Sequence, residues 1–142
     1  MKRTTFNYLL ALFVGVALSM PAWGTTDVVV IVNKDNPNTV NKASVIKIYT
    51  GEAKNWPDGG PVFALDQTED NSIRTDFYSR VIGKSSGNMK ALWAQNIFSG
   101  KGLPPSVVGS DVEVKRIVST NKNAIGYIKA SSADDTVKVV VK

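Results

Sequence analysis

Six residues able to exchange protons, donate to anions or bind cations crowd one short stretch: Asp66, Thr68, Asp70, Ser72, Arg74 and Thr75. Three chemistries suit that set. The N–H groups around Asn71 to Ile73, the hydroxyls of Ser72 and Thr75 and the Arg74 guanidinium are donors for an oxyanion, because a helix N-terminus favours negative charge and arginine binds phosphate bidentately. Alternatively, Asp66, Thr68, Asp70 and Ser72 have the spacing of calcium-loop ligands. The glycine that such a loop needs at its sixth position and the glutamate at its twelfth are Asn71 and Phe77 instead. The third role is structural: Asp70 or Asn71 caps a helix, early acidic residues complement its dipole, and Arg74 pairs with Asp70 one turn away. Asp66, Glu69, Asp70 and Asp76 outnumber Arg74, which opposes a divalent anion unless some carboxylates point away.

These residues need a strand, a loop and a helix to position them. Pro61 to Leu65 reads as the strand, and from Ser72 a helix shows Ile73, Phe77 and Val81 facing inward at spacings of four, ending at Gly83. In an open α/β sheet the ligand crevice lies beyond the carboxyl ends of the strands, where such a junction falls. Upstream, Val28 to Val32 is an unbroken β-branched run, expected to be a central strand covered on both faces. Asn41 caps a helix with Val45, Ile48 and Tyr49 on one face, closed by Gly51. Trp56, ahead of Pro57 and a Pro-Asp-Gly turn, is expected as a lid over the core, the other reading being an exposed ligand platform. A third helix over Gly87 to Phe98 places Met89, Leu92, Trp93 and Ile97 on one core-facing stripe. Ser99 to Pro105 is a loop in which Ser99, Gly100 and Lys101 either cradle an anion or simply follow a helix end, and Lys54 either reaches a ligand or stays solvated. Ser110 and Glu113 form a capping box before Val114, Ile117 and Val118. Ala124 to Ile128 and Thr136 to Val141 are the last strands. The order β-α-β-α-α-α-β-β predicts a three-layer α/β/α sandwich with a mixed sheet.

Composition narrows the function classes. Lys2 and Arg3 precede an apolar run from Tyr8 to Met20, and Pro21, Ala22 and Gly24 suit a cut before Thr25, so residues 1–24 are expected to be a signal peptide and residues 25–142 one exported, periplasmic domain. Once cleaved, that domain is expected not to span a membrane. The chain has no histidine and no cysteine, which removes the commonest general base, thiol catalysis and the usual transition-metal ligands. An enzyme is disfavoured and no cofactor is expected. The net charge of +5 falls by two with the signal peptide, and the lysines are scattered without aromatic platforms, so no nucleic-acid footprint is expected.

With these elements placed, the chain resembles the phosphate-binding members of the periplasmic solute-binding proteins. The resemblance rests on Ile31 to Pro37 (IVNKDNP), Ile48 to Trp56 (IYTGEAKNW), the junction with Ser72 and Thr75, and Ile125 to Ile128 (IGYI). It implies one lobe of a type 2 periplasmic-binding-protein fold, from about Val28 to Ile128, where the family has two lobes gripping a ligand. It also implies service to an ABC-type importer, and a ligand that is phosphate or a similar oxyanion. The family's Arg-x-x-Gly-Ser-Gly-Thr at the helix entrance is replaced here by DQTEDNSIRT, with Asp66 near the arginine position; Ser72 and Thr75 carry over as hydroxyl donors. Asp70, Asn71, Ser72, Arg74 and Thr75 are thus the candidate ligand-binding residues. A lone lobe leaves a small ligand wet, so a second copy or a partner protein is expected to complete the site. The alternative is a lobe that has lost its solute and serves as an interaction module for a membrane or envelope protein.

Overall fold

The structure, a computed structural model, describes residues 27–142, and the expected signal peptide lies outside the described residues. Its strands are β1 (Val28–Asn33), β2 (Phe63–Gln67), β3 (Ser106–Val108), β4 (Ala124–Lys129) and β5 (Val137–Val141). They form one mixed sheet in the order β3-β2-β4-β1-β5. β1 is antiparallel to β4 and β5, whereas β2 is parallel to β3 and β4. Every β1 residue is buried, as a β-branched run covered on both faces should be. The strand is interior, but the central place expected for it belongs to β4.

Four further expectations are corrected. β2 starts two residues later than Pro61, which instead bridges Asn55, and it ends on the polar Asp66 and Gln67. β3 falls in a stretch without an expected strand; with three residues on a sheet edge and Val107 60% exposed, it has too little apolar alternation to read. The other two concern helices.

The helices are α1 (Lys42–Tyr49), α2 (Ser72–Phe77), α3 (Ser86–Phe98) and α4 (Asp111–Thr120). Val45, Tyr49, Ile73, Phe77 and Met89 from the first three pack with Val30 and Val32 on one face of the sheet, while Val114 and Val118 of α4 pack with Ile31 and Leu65 on the other. The sandwich therefore has its three layers. α4 comes so close to β4 that a Cβ on Gly126 would run into Val114. α2 does not continue to Gly83 as an α-helix: it widens into a π-helical turn, Tyr78–Ile82, before Gly83 closes it at φ 78°. The stripe expected on α3 is core at Met89, half-buried against the core at Trp93 and not core at Ile97. Only Met89 is buried, and Ile97 and Phe98 are 51% and 95% exposed, because α3 packs on the π-helical turn rather than along the sheet. Trp56 is the expected lid, buried with its indole N–H donating to Asn123 O at 3.1 Å.

Candidate functional site

The junction is built around one buried carboxylate. Asp66, at the carboxyl end of β2, is 4% exposed and accepts from donors on several elements. Oδ2 takes the Tyr78 hydroxyl at 2.5 Å and Arg74 Nε at 3.3 Å; Oδ1 takes the Gln67 N–H at 2.8 Å and the Tyr127 hydroxyl. These four donors account for about the full acceptor capacity of a carboxylate. Tyr78 opens the π-helical turn and Tyr127 lies mid-β4, so the widened turn and the parallel β2–β4 pairing bring the phenols to one point. Phe77 stacks on Tyr127 at 3.9 Å between centroids and meets Tyr49 edge-on at 4.7 Å, which makes the floor aromatic and low in dielectric. Burial first, then the Asp66 charge, pushes the Tyr78 and Tyr127 hydroxyls well above their ordinary range. For Arg74, burial works against the charge, but pairing with Asp66 wins and the guanidinium pKa is raised.

Around that centre the polar groups serve each other. Asn71 is the N-cap of α2, accepting from Ile73 N at 3.2 Å, and its Nδ2 donates to Gln67 Oε1 at 2.7 Å. Gln67 is fully buried and in turn donates to Asp111 Oδ1 at 2.8 Å and Tyr127 O at 3.0 Å, which ties the cap to the first residue of α4. Arg74 pairs with Asp66, not with Asp70 as the structural reading expects. Asp66 is buried among donors while Asp70 is exposed, so the alternating oxygens of a calcium loop do not converge.

Of the candidate residues, Arg74 and Thr75 line one groove, of about 610 Å³, together with Glu69, Ser79, Lys90 and the start of α3 at Ser85 to Gly87. Asp70, Asn71 and Ser72 are not among its walls; Ser72 and Asp70 are exposed beside it. Ser85 caps α3, accepting from Asn88 N at 3.1 Å, and leaves the N–H groups of Ser86 and Gly87 without intrahelical partners. Neither terminal nitrogen of Arg74 has a protein partner among the described residues, and the Tyr78 ring lies 4.8 Å from its guanidinium carbon. Tyr78, Tyr127 and the Ser85 cap escape a reading of the junction alone. The signals for them are Ser-Ser-Gly-Asn ahead of a helical pattern and tyrosines in apolar runs, whose hydroxyls must find partners once buried.

A three-layer lobe with its polar centre at the carboxyl end of a parallel strand pair is the architecture of the solute-binding proteins. Residues 22–142 match the PBP superfamily domain, and the chain belongs to that superfamily. No curated protein matches the chain. Among solved structures, an ABC-type phosphate transport receptor from Vibrio cholerae superposes with a TM-score of 0.62 at 23% identity, over 80% of this chain and 44% of that one. A putative phosphate ABC transporter substrate-binding protein with bound phosphate, from Clostridium perfringens, gives 0.63 at 24% identity, over 80% and 43%. PstS from Borrelia burgdorferi gives 0.61 at 16%, over 80% and 46%. The chain thus spans less than half the length of these proteins, and at these identities the likeness is one of fold. Among the described residues no helix is long and apolar enough to cross a membrane.

Proposed function

We propose that this protein is an exported, non-enzymatic solute-binding domain that takes phosphate or a similar oxyanion in the groove between α2 and α3, for an ABC-type importer. The observation that carries the reading is the state of Arg74. Asp66 holds its Nε and Tyr78 lies against its face, so the guanidinium is fixed while its terminal nitrogens remain for a ligand beside Thr75 and Lys90. The open N–H groups of Ser86 and Gly87 add donors at the positive end of a 13-residue helix. In this reading Ser72 and Asp70 flank the ligand and Asn71 sets the helix start; residues 1–24 are the leader that delivers the domain to the periplasm. The phosphate in the Clostridium perfringens structure supports the ligand class. Thr75, Ser85 and Lys90 are exposed, so a second copy or a partner would cover the open side of the ligand.

A second reading, an interaction module without a solute, is favoured by Asp66. The chain's own carboxylate already takes two phenols and one edge of the guanidinium, donors suited to an oxyanion. Titration calorimetry of the phosphate-stripped protein with phosphate and then sulfate separates the two. The first reading expects phosphate binding at about 10 µM or tighter, weakened at least tenfold by Arg74→Ala and less by Thr75→Ala. Absence of heat up to about 1 mM phosphate, in a sample whose circular dichroism shows it folded, transfers the function to protein partners.

A further inference from the structure

At the other end of β2 lies a cleft that the oxyanion reading does not use. It is about 220 Å³ in volume, floored by Ile48, Val62 and Ala64 and walled by Phe63, Trp93 and Leu103. One wall, Trp93, is preformed. Trp93 donates its indole N–H to Tyr49 O at 3.1 Å, and its ring edge lies over Gly51, where a Cβ would meet it at 2.8 Å. Gly51 has φ 82°, so the glycine both ends α1 and makes room for the indole. Two cations face this cleft, Lys54 and Lys101. The Lys54 chain lies along Gly102, placing its ammonium against the loop that carries Lys101. Neither lysine has an acidic partner among the described residues, and no acidic residue lines the cleft.

We propose that this cleft binds a small organic acid: an apolar body of about ring size against Trp93 and Phe63, with its carboxylate between Lys54 and Lys101. The size follows from the volume, since an apolar cavity of about 150 Å³ suffices for benzene. The charge follows from the two unpaired ammonium groups, which make a neutral occupant a poorer match than an anion. Apolar contact with the ring and charge contact with the lysines share the affinity, and the lysines supply orientation and selectivity.

Benzoate is the probe, with benzyl alcohol as its neutral counterpart, followed through the indole N–H resonances of the purified protein by NMR. Benzoate is expected to shift the Trp93 resonance saturably with a midpoint near ~1 mM, leaving that of Trp56 in place. Benzyl alcohol is expected to bind about tenfold more weakly, and the surface double variant Lys54→Gln/Lys101→Gln to remove that preference while Trp93 keeps its position. The proposal is overturned if benzoate gives no saturable shift up to about 10 mM, if benzyl alcohol binds equally well, or if the double variant still prefers the acid. Tighter binding of a peptide ending in phenylalanine than of benzoate would also overturn it, and make the cleft a protein-docking site.

Discussion

The two ends of β2 solve opposite problems with the same strand. At the carboxyl end, Asp66 and Gln67 are buried polar groups, and each is matched by donors and acceptors from α2, the π-helical turn, β4 and α4. At the amino end, Phe63 is 40% exposed, near the loop in which Leu103 is 82% exposed, and the nearby lysines have no acidic partners among the described residues. The first arrangement resists change because a buried polar group left unpaired costs its full desolvation. The second tolerates change, since the side chains it presents to water, Phe63, Leu103, Lys54 and Lys101, leave no buried polar group unpaired when removed. Recognition can reside at either end, but at the carboxyl end it shares its residues with the network that joins α2, the π-helical turn, β4 and α4.

The widest separation between the ends should come from Asp66→Ala. It removes the acceptor for two buried phenols and leaves Arg74 without its partner in a largely buried setting, so a loss of about 3–5 kcal/mol is expected in urea unfolding. Asp66→Asn, which keeps one acceptor oxygen, should lose less. A loss under about 1 kcal/mol for the alanine variant would break the comparison, since that is the scale of an ordinary exposed pair.

How much of this was legible beforehand follows the same division. The β1 core, the Asn41 and Ser110 caps, the Trp56 lid and the inward face of Ile73, Phe77 and Val81 were readable because local pattern and tertiary environment agree there. Arg74 and Thr75 were readable as residue types, but their setting was not. The partner of Arg74 lies eight residues back in β2, and the other donors to Asp66 come from Tyr78 and Tyr127, which only the fold brings together. Ile97 misleads for the converse reason. Its helical spacing is that of a core stripe, and nothing local reveals that the last turn of α3, beyond Trp93, runs out into solvent.

The phenols sharpen the carboxyl-end argument through pH. Both hydroxyls are raised above the ordinary tyrosine value of 10.0, so each contributes stability that is fully present below about pH 10 and is lost as pH rises toward the folded-state values. Unfolding free energy should therefore fall above about pH 10, as the unfolded chain releases protons that the folded chain retains. Tyr127→Phe is expected to cost about 1–3 kcal/mol at neutral pH, by leaving Asp66 one donor short. It should also flatten the alkaline fall measured by urea unfolding at several pH values. An alkaline limb unchanged in the variant would show that Tyr127 does not carry it.

The smallest effect is expected at the amino-end side of the molecule, from Phe98→Ser. Phe98 is 95% exposed at the last turn of α3, so its ring gains almost nothing from folding, and serine removes apolar surface that already faces water. Stability should stay within about 0.5 kcal/mol in urea unfolding. The sample should also remain monodisperse to higher concentration by light scattering, because an exposed phenylalanine is available for self-association. A loss above about 1 kcal/mol would mean that the ring is covered in solution, by a second copy or by chain outside the described residues. Concentration dependence separates those two covers: a copy makes the loss grow with protein concentration, whereas a segment of the same chain leaves it constant.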